Sequence, residues 1–235
     1  MDLGFDQSFE NLKKRKKDMD RYARIMDGVW TTNVSADRKF QKTFNGFYRV
    51  RRDENWQKIF YDLFESCKTM ESRSFELILR TIFEKTGRIE ASFSSKMLAS
   101  LDPQMPIWDS VVLARLGLKP ISSTNKEKRI QDAVEIYQTI EYWYRGFLQA
   151  DGAQDILKQF DAAFSEYTGF SPVKKIDFLL WGSGSKEPLP TKGIEINGYV
   201  EVPPIVTNEE FLDKFIDFIE SNHWYFGGAT KEVEE

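Results

Sequence analysis

SFELILRTIFEKTGRIEASFSSKMLASLDPQMPIWDSVVLARLG, residues 74–117, sets the order of elements on which the fold turns. Its first part spaces Phe75, Ile78, Leu79 and Ile82 by three and four, the repeat of one helical face, so a helix is expected from Ser74 to Glu84. Ser74 suits the N-cap, where its hydroxyl accepts a free amide, and Gly87 supplies the stop because glycine tolerates a left-handed C-terminus. A short turn leads to a second helix, Ser94 to Leu101, which carries Lys96. Asp102-Pro103 and Pro106 end it, since proline fixes φ and lacks the amide a continuing helix needs. Asp109 then opens a third helix that stops at Gly117.

Outward from this stretch the same period recurs. Upstream, Phe9, Leu12, Met19, Tyr22, Ala23 and Met26 mark an amphipathic helix over Phe9 to Met26, with Gly28 as its end. Ala36 to Val50 and Asp53 to Met70 read as two more, the second striped with Trp56, Ile59, Phe60, Leu63, Phe64 and Cys67. Downstream, Ile130, Val134, Tyr137, Ile140, Tyr144 and Phe147 stay in register along the longest helix, Asn125 to about Ala150, which leaves through the turn Asp151-Gly152. Asp155 to Tyr167 and Val173 to Trp181 complete the helical part. Gly182-Ser183-Gly184-Ser185, followed by Pro188 and Pro190, has linker composition. Beyond it, Ile194, Ile196, Val200 and Val202 suggest strands around a hairpin turn at Asn197-Gly198. Glu209 to Ser221 is a helix with Phe211, Phe215, Phe218 and Ile219 on one face, and Trp224-Tyr225-Phe226 reads as a last strand. The expected fold is therefore mainly α: a multi-helix domain over residues 1–185 and a small strand–helix–strand α+β unit over residues 190–235.

Composition narrows the function classes. The chain has 235 residues, 41% of them hydrophobic, enough to bury one sizeable core. Its 33 basic and 37 acidic side chains nearly cancel to a net −4, so no global field draws it to nucleic acid, and any such site must be a local patch. Cys67 is the only cysteine, which excludes an internal disulfide and any cysteine-rich metal site, and a reducing cytoplasm is expected. Residues 1–10 lack a basic segment followed by an apolar run, and no stretch of 18 apolar residues occurs, so neither export nor a membrane partner is expected. No glycine-rich phosphate loop, nucleophile elbow or metalloprotease motif is present, and no cofactor or metal is expected. His223, the sole histidine, sits beside Trp224 and reads as a turn residue.

The pair that can carry chemistry is Lys96 and Asp109. An amine on the second helix of a hairpin, facing a carboxylate at the start of the next helix, can attack a sugar carbon while the acid steadies positive charge on the ring. The positive end of a helix dipole favours an anionic side chain at that position. The plainer alternatives are an N-cap role alone for Asp109 and an exposed surface lysine for Lys96, whose stem covers apolar neighbours. Arg49, Arg51 and Arg52 beside Tyr48 form a candidate basic patch for a nucleic-acid backbone, against the alternative of surface ion pairing. Lys13-Lys14-Arg15-Lys16-Lys17 reads as the solvated face of its helix, and the six tryptophans as core residues with some base-stacking candidates among them.

Three segments in this stretch, Ser92-Phe93-Ser94-Ser95-Lys96-Met97-Leu98, Asp102-Pro103 and Pro106-Ile107-Trp108-Asp109-Ser110, resemble the hairpin-to-aspartate region of helix-hairpin-helix DNA glycosylases of the 8-oxoguanine type. Phe47-Tyr48-Arg49-Val50-Arg51-Arg52 and Ile176-Asp177-Phe178-Leu179-Leu180-Trp181-Gly182 are similar to flanking segments of bacterial relatives of that group, so the resemblance spans about residues 36–183. It implies that fold, base-excision repair of DNA, and Lys96 and Asp109 as the catalytic pair. The alternative is a protein on the same scaffold that binds nucleic acid or protein without turnover, with the C-terminal unit as the surface for a protein partner.

Overall fold

The computed structural model of the chain describes residues 5–119, 121–182, 196, 198–221, 226 and 230–233. Among these it is mainly helical: α1 (Phe5–Lys13), α2 (Lys16–Thr31), α3 (Arg38–Tyr48), α4 (Glu54–Cys67), α5 (Phe75–Thr86), α6 (Ala91–Leu101), α7 (Ser110–Leu116), α8 (Lys126–Gln149), α9 (Ala153–Ala163), α10 (Pro172–Gly182) and α11 (Asn208–Ser221). Polar side chains set most of the starts. Asp37 accepts the amides of Lys39 and Phe40, Asp53 that of Trp56, Ser74 that of Leu77, Asp109 that of Val112 and Asn125 that of Lys128. Gly87 and Gly117 end α5 and α7 at φ of 71° and 64°, where a β-carbon would be strained.

The core is continuous from α1 to α10 and rich in rings. Phe44, Phe60, Tyr61 and Phe64 from α3 and α4 are almost wholly buried and meet edge-on or tilted, the arrangement favoured by the aromatic quadrupole. A second stack joins α5, α8 and the loop before α7. Phe75 lies 4.0 Å from Tyr137, ring centre to ring centre, and nearly parallel to Trp108. The Tyr137 hydroxyl donates to the Pro106 carbonyl at 2.8 Å, so the apolar stack also carries a hydrogen bond that fixes the approach to Asp109.

Three departures from the sequence expectations have local causes. The single helix expected over Phe9 to Met26 is two, broken at Lys14-Arg15, where the Arg15 guanidinium sits 3.6 Å from the centre of the Trp181 ring on α10. Gly28 does not end α2; its role is spacing, because a β-carbon there would meet the Phe40 ring at 2.8 Å. The expected C-terminal strands do not form among the described residues: Ile196, Tyr199, Val200, Val202 and Ile205 are exposed, without ladder partners, and Pro203-Pro204 cannot donate amides. Ile194, Asn197, Trp224 and Tyr225 lie outside the described residues, as does His223. No helix among those described is long and apolar enough to cross a membrane.

Candidate functional site

The site is assembled around the backbone of Trp108. Its amide donates to the Ser95 hydroxyl at 2.9 Å and its carbonyl accepts from the Ser92 hydroxyl at 3.0 Å. Ser92 and Ser95 are three apart and therefore neighbours on one face of α6. The Trp108 ring is buried against Phe75, so ring and backbone together hold residue 108 on α6. Lys96 follows Ser95 on that helix, and Asp109 follows Trp108 into α7, so the two sequence-predicted residues each adjoin an end of the same hydrogen bond.

Their side chains have different surroundings. The Lys96 ammonium lies 5.0 Å from the centre of the Phe93 ring and 5.7 Å from that of Tyr48, and the residue is half-buried. Both rings present the negative face of their quadrupole to the cation. Asp109 is also half-buried, and one carboxylate oxygen accepts the Val112 amide at 2.8 Å, which caps α7.

Within electrostatic reach of Asp109 lies a buried polar cluster outside the residues that the sequence singles out. Lys174 and Asp177, one turn apart on α10, are both buried, with Nζ and a carboxylate oxygen 3.4 Å apart. Tyr144 on α8 donates its hydroxyl to the other oxygen of Asp177. The Lys174 ammonium also rests 4.5 Å from the centre of the Tyr22 ring and 5.0 Å from that of Phe178. Burial pushes Asp177 up to about 6, against the downward pull of Lys174 and the Tyr144 hydroxyl, and the negative charge of Asp109 adds to the rise. Burial lowers Lys174, while Asp177 and Asp109 support its charged form. Burial likewise raises the phenols of Tyr22, Tyr48, Tyr137 and Tyr144. Asp109 is thus within electrostatic reach of a second acid and a buried base.

The arginine segment divides. Arg49 and Arg51 are exposed, and Arg49 holds the left-handed C-cap of α3 at φ 55°. Arg52 turns inward: Nε and Nη2 meet the two Glu90 oxygens at 2.9 and 3.3 Å in a buried bidentate pair. The basic run is engaged in part, with Lys13 on Glu10, Lys16 on Glu166 and Arg15 on Trp181. Trp56 and Trp108 belong to the core, stacked on Phe60 and Phe75. Among the described residues no group of three or more His, Cys, Asp or Glu side chains is placed to hold a metal ion.

No family model, curated protein or solved structure matches this chain. The sequence held one signal for the missed cluster: three charged residues, Lys174, Lys175 and Asp177, among the apolar side chains of Val173 to Trp181. A charge on the inward face of a helix so apolar has to be paired.

Proposed function

We propose that this chain is a DNA glycosylase-like enzyme that excises an altered base, with the Lys96 amine attacking the sugar carbon and the Asp109 carboxylate stabilising the positive charge that develops on the ring. The observation that supports it is the Trp108 clamp, which fixes Lys96 and Asp109 to the two ends of one hydrogen bond between α6 and the entry to α7. In the proposed reaction the amine displaces the base, the sugar ring opens, and a Schiff base links Lys96 to the sugar. Exposed Arg49 and Arg51 supply positive charge for the phosphate backbone.

Incubation with lesion-bearing duplexes under borohydride is expected to trap a covalent adduct that Lys96→Gln abolishes. Failure to trap across a panel of oxidised, alkylated and deaminated bases sinks the enzyme. A second reading, binding without turnover, is favoured by the engagement of the Asp109 carboxylate in capping α7. Under it no adduct forms, and salt-dependent DNA binding survives Lys96→Gln but weakens in Arg51→Glu.

A further inference from the structure

The turn between α5 and α6 carries Arg88 directly after the left-handed Gly87. Both ion pairs of Arg88 go to a single distant helix: Nη2 meets Asp213 at 3.1 Å, and Nη1 meets Asp217. Asp213 and Asp217 are four residues apart on α11 and so lie on one face, separated by about 6 Å of helical rise. Asp217 reaches a second arginine as well, at 3.1 Å from Arg52 Nη2. Arg51 donates to the Phe226 carbonyl at 3.4 Å, so all three arginines meet the chain beyond residue 207.

The docked helix reverses the local charge. Without α11, Arg51, Arg52 and Arg88 stand against Glu90 and Asp53; with it, Glu209, Asp213 and Asp217 are added and the same three arginines face five carboxylates. The contact is not close-packed. A cavity of about 240 Å³ remains in the seam, lined by Arg51, Arg52, Leu212, Ile216 and Phe226 among others. Asp217 and Arg88 are partly exposed, and ion pairs of that kind hold weakly and are screened by salt. Helix and arginines therefore meet through one exchangeable pair, Arg88 with Asp217, beside the buried Asp213, Ile216 and Ile219, at an incompletely filled joint.

A row of carboxylates on a helix face offers arginines what a phosphodiester backbone offers: spaced anionic oxygens that a guanidinium can grip with two donors. We infer that α11 is an acidic occupant of an anion site formed by Arg88, Arg52 and Arg51, and that a phosphodiester backbone competes with it for that site. The inference rests on the nucleic-acid reading above and adds a regulation to it: the chain masks part of its own binding face until a nucleic acid displaces the helix.

The test uses the full chain and a fluorescein-labelled undamaged duplex of about 20 base pairs, followed by anisotropy at about 50 mM and about 300 mM salt. Asp213→Asn with Asp217→Asn is expected to bind about tenfold more tightly than the unaltered chain at the lower salt, with the gain shrinking at the higher. Adding Arg88→Glu to that variant is expected to remove the gain. Backbone amides of α11 in the unaltered chain are expected to exchange faster when duplex is added, a readout that does not require the variant to fold. Equal binding by both forms, or α11 exchange that duplex leaves unchanged, overturns the occupant while leaving DNA binding in place. Absence of binding by either form at low salt overturns both.

Discussion

Two clusters in this molecule each pair a cation with aspartate, to opposite ends. In the interior, Lys174, Asp177 and Tyr144 are enclosed by the rings of Tyr22 and Phe178, and every charge has a partner within the core. At the seam, Arg88 meets Asp213 and Asp217 beside a cavity, with Arg88 and Asp217 reaching solvent. Burial decides what each cluster can do. In the core neither charge can leave without stranding the other in a low dielectric, so the pair fixes how α10 sits against α2 and α8. At the seam water can replace Arg88 or Asp217, so that pair can open.

The largest effect that can break this contrast comes from deleting one interior charge. Lys174→Met leaves Asp177 buried without its cation, and a loss of about 3 to 5 kcal/mol is expected in denaturant unfolding. Adding Asp177→Asn removes the stranded charge while keeping an acceptor for the Tyr144 hydroxyl, so the double variant is expected to recover much of that loss. A single variant that unfolds like the unaltered chain denies the interior pair any structural role.

The same pair sharpens the contrast through pH. Asp177 is pushed up to about 6 in the fold, above its value in the unfolded chain, so the folded state binds its proton more tightly. The sign follows: acidification from pH 7 to pH 5 protonates Asp177 in the fold and stabilises it, by about 1 kcal/mol from this group, and the contribution is lost as pH rises through 6. Asp213, also raised to about 6 by burial and by its hydrogen bond with Asp53, moves in the same direction, so total stability against pH does not isolate Asp177. Comparison of Asp177→Asn with the unaltered chain at both pH values does. The difference in unfolding free energy between the two proteins is expected to change by about 1 kcal/mol, and a difference that stays constant removes the buried titration.

How far the sequence foretold this arrangement depends on how local each feature is. The apolar period of α4, α5 and α8, the helix starts at Asp53 and Asn125 and the caps Ser74 and Asp109 depend on residues a few positions apart, and they fall where the pattern puts them. The stretch 74–117 therefore places Lys96 on α6 and Asp109 at the start of α7 with no tertiary information. The clusters are different in kind. Tyr144 meets Asp177 across 33 positions, Arg52 meets Glu90 across 38, and Arg88 meets Asp213 across 125, and no periodicity records such meetings. Arg49, Arg51 and Arg52 are neighbours in sequence, yet the chain turns between them and buries only the last. The tail shows the converse error. Alternation at Ile196, Val200 and Val202 matches strand period, but a strand is defined by its partner, and none pairs with these residues among those described.

The smallest expected effect lies at the seam and probes the contrast from its weak side. Arg88→Gln removes two ion pairs whose arginine is partly exposed, and a loss of about 0.2 to 1 kcal/mol is expected at low salt. With Arg88 gone both acids still have Arg52, which lies 3.1 Å from Asp217 and within electrostatic reach of Asp213, so neither is stranded, which is why the loss stays small. Raising salt to about 1 M shortens the screening length to about 3 Å and is expected to erase the difference between Arg88→Gln and the unaltered chain. The deficit of Lys174→Met, sealed from ions, is expected to persist at that salt. If both deficits respond to salt alike, the two clusters do not differ in solvent access, and burial is not what separates a fixed charge pair from an exchangeable one here.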